Sequence, residues 1–180
     1  MKKQVLKLDL DDLEDSGEDL VHLFFHTSVP GYVFVDDINH LYNLSLCRQN
    51  DLELDEQRWP LYTYHDTLRQ LDYYLIERPG GAAGIASHWA PGHKMMVLKG
   101  ENALETAKRM YNDFSTPPPL PDECNPTETE QYNILTSYQQ AFTPVTIYDF
   151  NAPATTSKKM LKERNELEVL FSTILDLLDP

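Results

Sequence analysis

The sequence predicts an α+β domain: an antiparallel sheet of five or six strands, helices packed on one face, and a C-terminal helical appendage. Three observations carry that prediction. Between residues 61 and 100 the apolar runs LYTY, LDYYLIER and KMMVLKG succeed one another as strands, separated by polar or glycine-rich turns. Two segments, one after Pro30 and one after Gly100, switch to apolar residues at helical spacing. A proline-rich stretch then divides this block from a second, helical part. The expected organisation is a core at 1–114, a linker or strap at 115–126, and an extension at 127–180 that ends in an amphipathic helix.

A chain of 180 residues matches one domain of about 100–200 residues. The apolar fraction of 41% is grouped into periodic runs, so a core can form although the mean hydropathy is -0.47. The formal charge of -14 repels phosphate backbones and anionic membranes and favours solubility or basic partners, a solubilising acidic surface being the simpler reading. Neither nucleic acid nor a membrane is therefore expected as a partner. Cys47 and Cys124 are the two cysteines, with no CxxC spacing, and suggest neither a disulfide framework nor a zinc knuckle. The opening residues MKKQVLKLDL lack the apolar core of a signal peptide, and no run approaches the ~18 apolar residues of a spanning helix. A cytoplasmic location is expected.

Element by element, residues 4–10 alternate Leu6, Leu8 and Leu10 on one face, as a half-buried strand does. The acidic cluster that follows reads as a solvated turn. Its Gly17 lacks the D-x-D-x-D spacing and the closing Glu of a calcium loop. Residues 20–29 read as a buried strand that ends at Pro30-Gly31. Phe34, Ile38, Leu41 and Tyr42 then form a helical stripe, with Asn43 as a stop. Residues 45–54 read as a weak strand turning into a polar loop. Strands are expected at 59–66, where Pro60 suits an edge or a first position, at 71–78 and at 94–99. Ala103, Ala107, Met110, Tyr111 and Phe114 mark the next helix. Beyond five prolines, Thr127 and Glu130 have the spacing of a capping box, and a helix, a short strand at 145–150 and a last helix at 158–178 follow.

Candidate chemistry is sparse. His22 and His26 lie four apart on a strand, and His88 and His93 flank the loop PGGAAGIASHWAPG at 79–92. Asp36, Asp37 and His40 share the first helix, but no HExxH or facial-triad spacing appears. Whether His22, His26, His88 and His93 converge depends on strand register. The loop follows a strand as a phosphate loop does, yet it lacks GK[ST] and leads into another strand, so no helix N-terminus receives a phosphate. Ser87 beside His88 is not in a GxSxG elbow. Tyr62, Tyr64, Tyr73 and Tyr74, with Trp59 and Trp89, could stack bases, but without an RNP pattern they read as sheet packing. Nothing near Cys47 would activate its thiol.

The runs KLDL, YVFVDDINHLYNL, NDLEL, LYTYHD, LDYYLIE and MMVLKG occur in an order and spacing that resembles the bacterial IPExxDY family over residues 7–114. The resemblance implies a small α+β domain and brings no catalytic residues. The naming signature is not retained: His88-Trp89-Ala90 stands where Ile-Pro-Glu would be, and His93-Lys94 where Asp-Tyr would be.

No catalytic, cofactor-binding or metal-binding residue is assigned from the sequence, and no cofactor is expected. The expected function is a non-enzymatic interaction module with a protein partner, or with a second copy bound through the 158–178 helix. The alternative is a small metal-dependent or small-molecule enzyme whose site lies under the 79–92 loop, with His88 and His93 as ligands or acid/base groups.

Overall fold

The computed structural model describes residues 19–54, 56–80, 93–121, 125–140 and 145–149, together with residues 169, 172, 173 and 176. Within them the chain runs β1 (Asp19–Phe25), α1 (Gly31–Tyr42), β2 (Cys47–Arg48), β3 (Leu52–Leu54), β4 (Gln57–Trp59), β5 (Leu61–Asp66), β6 (Leu71–Glu77), β7 (Lys94–Gly100), α2 (Ala103–Ser115), α3 (Pro126–Gln140) and β8 (Val145–Asp149). Six strands make one antiparallel sheet in the order β2-β5-β6-β7-β1-β8, and β3 with β4 forms a separate two-stranded hairpin. The α+β class, the antiparallel sheet and the one-sided helical layer are as the sequence predicts. The expected strand at 4–10 lies outside the described residues.

The helical layer follows from strand alternation. Val21, Leu23 and Phe25 of β1, Leu71, Tyr73 and Leu75 of β6, and Met96 and Leu98 of β7 share one face and join the core of the helices. Four rings lock the layer together. Phe25 meets Phe34 at 4.9 Å and Phe114 at 5.0 Å between centroids, and Tyr138 closes on Phe34 at 5.7 Å and on Phe114 at 5.3 Å. Each such edge or tilted pair adds about 0.5–1.5 kcal/mol to its area burial. Polar ties sit at the rim: Tyr42 donates to Asp113 at 3.1 Å and Tyr138 to Asp37 at 2.6 Å. Residues of the opposite parity, among them His22, Phe24, Ile76, Met95 and Val97, are buried as well. The centre of the sheet is therefore shielded on both faces.

Several boundaries differ from the sequence reading, each for a local reason. The stretch at 45–54 is two pieces, because β2 pairs with β5 while Leu52 and Leu54 turn inward on the β3–β4 hairpin. Trp59 ends β4, and Pro60, which cannot donate to a ladder, separates it from β5. The capping box at Thr127 is not used. Asn125 caps α3 instead, its Oδ1 accepting from the Thr127 amide at 3.2 Å and the Glu128 amide at 3.4 Å, with Pro126 in the first helical position. Gly100 ends β7 rather than following it. Its φ of 143° and the Gln70 carbonyl, 2.2 Å from where a Cβ would lie, require glycine there.

The chain beyond the prolines packs on this core. β8 is the outer strand against β1, and Tyr138 of α3 belongs to the aromatic cluster. Farther on, Val169, Ser172, Thr173 and Asp176 are helical, spaced i, i+3, i+4 and i+7, and three of the four are exposed. They form the outward side of the C-terminal helix. The leucine-rich stripe of that segment lies outside the described residues.

Candidate functional site

Two places gather polar chemistry. The first is the end of the sheet where β1, β5 and β6 meet the start of α1 and β7. Phe25, Lys94 and Glu77 are register partners across β1, β7 and β6, and the last two point to the helix side. The Lys94 side chain is fully buried. Its Nζ donates to the Val29 carbonyl and lies 3.7 Å from the Glu77 carboxylate, which keeps 23% of its side chain exposed. Burial pulls the Lys94 ammonium below its ordinary pKa, and Glu77 pulls it partway back. Glu77 also lies against the first residue of α1. A Cβ on Gly31 would sit 2.0 Å from its Oε2 and 3.6 Å from the Tyr62 hydroxyl. Pro30 gives α1 no side-chain cap, so this carboxylate supplies the negative charge that a helix start favours. Arg48 donates to the Tyr62 hydroxyl at 3.2 Å and stacks 5.0 Å over its ring.

On the opposite side of the same sheet end, His26 and His93 meet. They occupy the positions just past the Phe25–Lys94 rung, and their Nδ1 atoms are 3.3 Å apart. Burial, then the His26 ring, Lys94 and Arg78, hold the His93 pKa below its usual value. Of the four histidines whose convergence was open, these two come together. His22 is fully buried in β1, where desolvation lowers its pKa to about 3, and it stays neutral. His88 lies outside the described residues, as does the loop at 81–92.

The second place is an open groove of about 540 Å³ on the sheet face away from the helices. Thr63, His65, Asp72 and Tyr74 floor it, and residues 49–53 wall it, bringing Asp51 and Glu53 to the same rim. His65 and Asp72 are cross-strand partners with Nδ1 and Oδ1 2.5 Å apart. Asp51 is held by Arg48. Three carboxylates against one histidine make the lining acidic.

The other sequence candidates do not converge. His40 is exposed on α1, where its Nδ1 meets the Asp36 carbonyl at 2.9 Å; that contact, followed by the Asp36 charge, raises its pKa. Asp37 is committed to Tyr138. Cys47 is an exposed thiol 3.2 Å from the Ser45 carbonyl. Tyr62, Tyr64 and Tyr73 face the helices and Trp59 is buried, so these rings pack rather than present a stacking platform. Among the described residues no three histidine, cysteine or carboxylate groups converge on a metal position, and no helix is long and apolar enough to cross a membrane. Sequence reasoning missed the Glu77–Lys94 pair and left the His26–His93 pair open. The signal was present only as strand register, which makes neighbours of residues 17 and 67 apart. No family model, no curated protein and no solved structure matches this chain.

Proposed function

We propose that this chain is a non-enzymatic interaction module whose groove over β5 and β6 takes a basic segment of a protein partner in the cytoplasm. The observation that carries the reading is the groove itself: open, about 540 Å³, and lined by Asp51, Glu53 and Asp72 with Tyr74 beside them. Carboxylates select Lys and Arg, and a tyrosine ring such as that of Tyr74 accepts a cationic head. The overall charge of -14 steers such a partner in and turns polyanions away. Self-association through the amphipathic 158–178 helix is a second part of the proposal. A relation to the IPExxDY family, on the order of its runs, fits a module of this kind and adds no chemistry.

A random peptide library displayed against the full chain tests the groove. Selected peptides are expected to be rich in Lys and Arg, to bind more weakly as salt rises, and to lose at least about tenfold in affinity with Asp51→Asn and Asp72→Asn together. Selection without basic residues, or affinity untouched by those substitutions, would overturn the reading.

A further inference from the structure

We infer that His26 and His93 form a two-nitrogen binding site for a divalent transition-metal ion of the zinc class, with water completing the coordination. The pair is built by register. Phe25 and Lys94 are the last partners of the β1–β7 ladder, so His26 and His93 are the next cross-strand neighbours, on the face away from the helices. The Arg78 amide donates to the His93 carbonyl at 3.0 Å and extends the β6 pairing to this residue. The rings stand nearly perpendicular, at 84° with centroids 5.0 Å apart, and the Nδ1 atoms are 3.3 Å from each other. A tetrahedral zinc ion with Zn–N bonds of about 2.0–2.1 Å separates two of its nitrogens by about 3.3 Å. Two imidazole nitrogens facing each other at that distance need either a shared proton or a metal between their lone pairs.

The donor set selects the ion. Imidazole nitrogen without carboxylate suits zinc, nickel or copper and gives nothing to calcium or magnesium, which take oxygen ligands. Among the described residues no third histidine, cysteine or carboxylate joins the pair, and water or an incoming donor fills the remaining positions of the proposed site. Lys94 and Arg78 place positive charge beside His93, which sets the affinity below that of a closed structural zinc site. The site is therefore exchangeable. It differs from a site made by His88 and His93, because it uses residues on two paired strands.

The test is calorimetric titration of tag-free, full-length protein with zinc chloride at pH 7.5, where protons compete little for imidazole. One saturable equivalent is expected, with a rise in melting temperature and no response to magnesium or calcium. His26→Ala and His93→Ala should each weaken binding by at least about tenfold, and His40→Ala, at an exposed histidine away from the pair, should leave it unchanged. If either alanine variant fails to fold, imidazole NMR of the wild-type protein replaces it: saturable zinc-dependent shifts of the His26 and His93 ring resonances support the site, and rings untouched by zinc overturn it. Absence of saturable binding up to millimolar zinc, or binding that survives both substitutions, would show that a hydrogen bond alone joins the two rings.

Discussion

His22 shows how far burial can outweigh a side chain's ordinary chemistry. It is enclosed in β1, and desolvation takes its pKa from 6.5 to about 3, so the folded protein holds it neutral across the physiological range. The unfolded chain takes up a proton as the pH falls below about 6.5, and the folded chain does so only near 3. The stability linked to this group is thus complete above pH 6.5 and is lost progressively between there and pH 3, by up to about 1.4 kcal/mol per pH unit. Urea unfolding of wild type and His22→Gln at pH 6.5 and 4.5 checks this. The variant's stability should fall less over that interval, and equal slopes would remove the argument. The sequence presents His22 and His26 as an equivalent pair four residues apart. The end of the ladder distinguishes them: His22 lies within β1 and is buried, and His26 lies just past it, where it meets His93.

Among elements, the start of α1 meets the Glu77 side chain of β6 at a residue with no side chain. Gly31 lets the Glu77 carboxylate reach the helix start, and Glu77 in turn partners the buried Lys94. Gly31→Ala should push the carboxylate aside and leave the Lys94 charge less compensated, at a cost of about 1 kcal/mol, since the Glu77 side chain is flexible and partly exposed. The same substitution made with Lys94→Met should cost far less, because the charge is gone. Denaturant midpoints of the four proteins measure the coupling, and additive effects would refute it. The existence of α1 was legible from Phe34, Ile38, Leu41 and Tyr42 at helical spacing. Its anchor was not, because Gly31, Glu77 and Lys94 are neighbours only after β6 and β7 pair. Nor was the β3–β4 hairpin, whose three-residue strands are too short to show a period and carry Glu53 and Arg58 on their outer side.

For the whole molecule, charge and the last helix govern association. The described positions of that helix, Val169, Ser172, Thr173 and Asp176, lie on one side, and the apolar residues Leu167, Leu170, Phe171, Ile174, Leu177 and Leu178, which the sequence spaces as a helical stripe, lie outside the described residues. If that stripe joins two copies, sedimentation of the full chain should show a concentration-dependent dimer, and Leu170→Asp with Ile174→Asp should abolish it. A monomer at every concentration would end the self-association part of the proposal.

The sequence by itself determined the composition of the layers: which runs are strands, which segments are amphipathic helices, and which face of each is apolar. Those properties depend on residues within a few positions of one another and on a periodicity that is local. Tertiary structure alone decided which polar groups meet. The pairings of β1 with β7, of β6 with β7 and of β5 with β6 create the His26–His93 contact, the Glu77–Lys94 pair and the acidic groove. Register is set by the summed packing of a whole face against the helices, and no short stretch of sequence contains that sum.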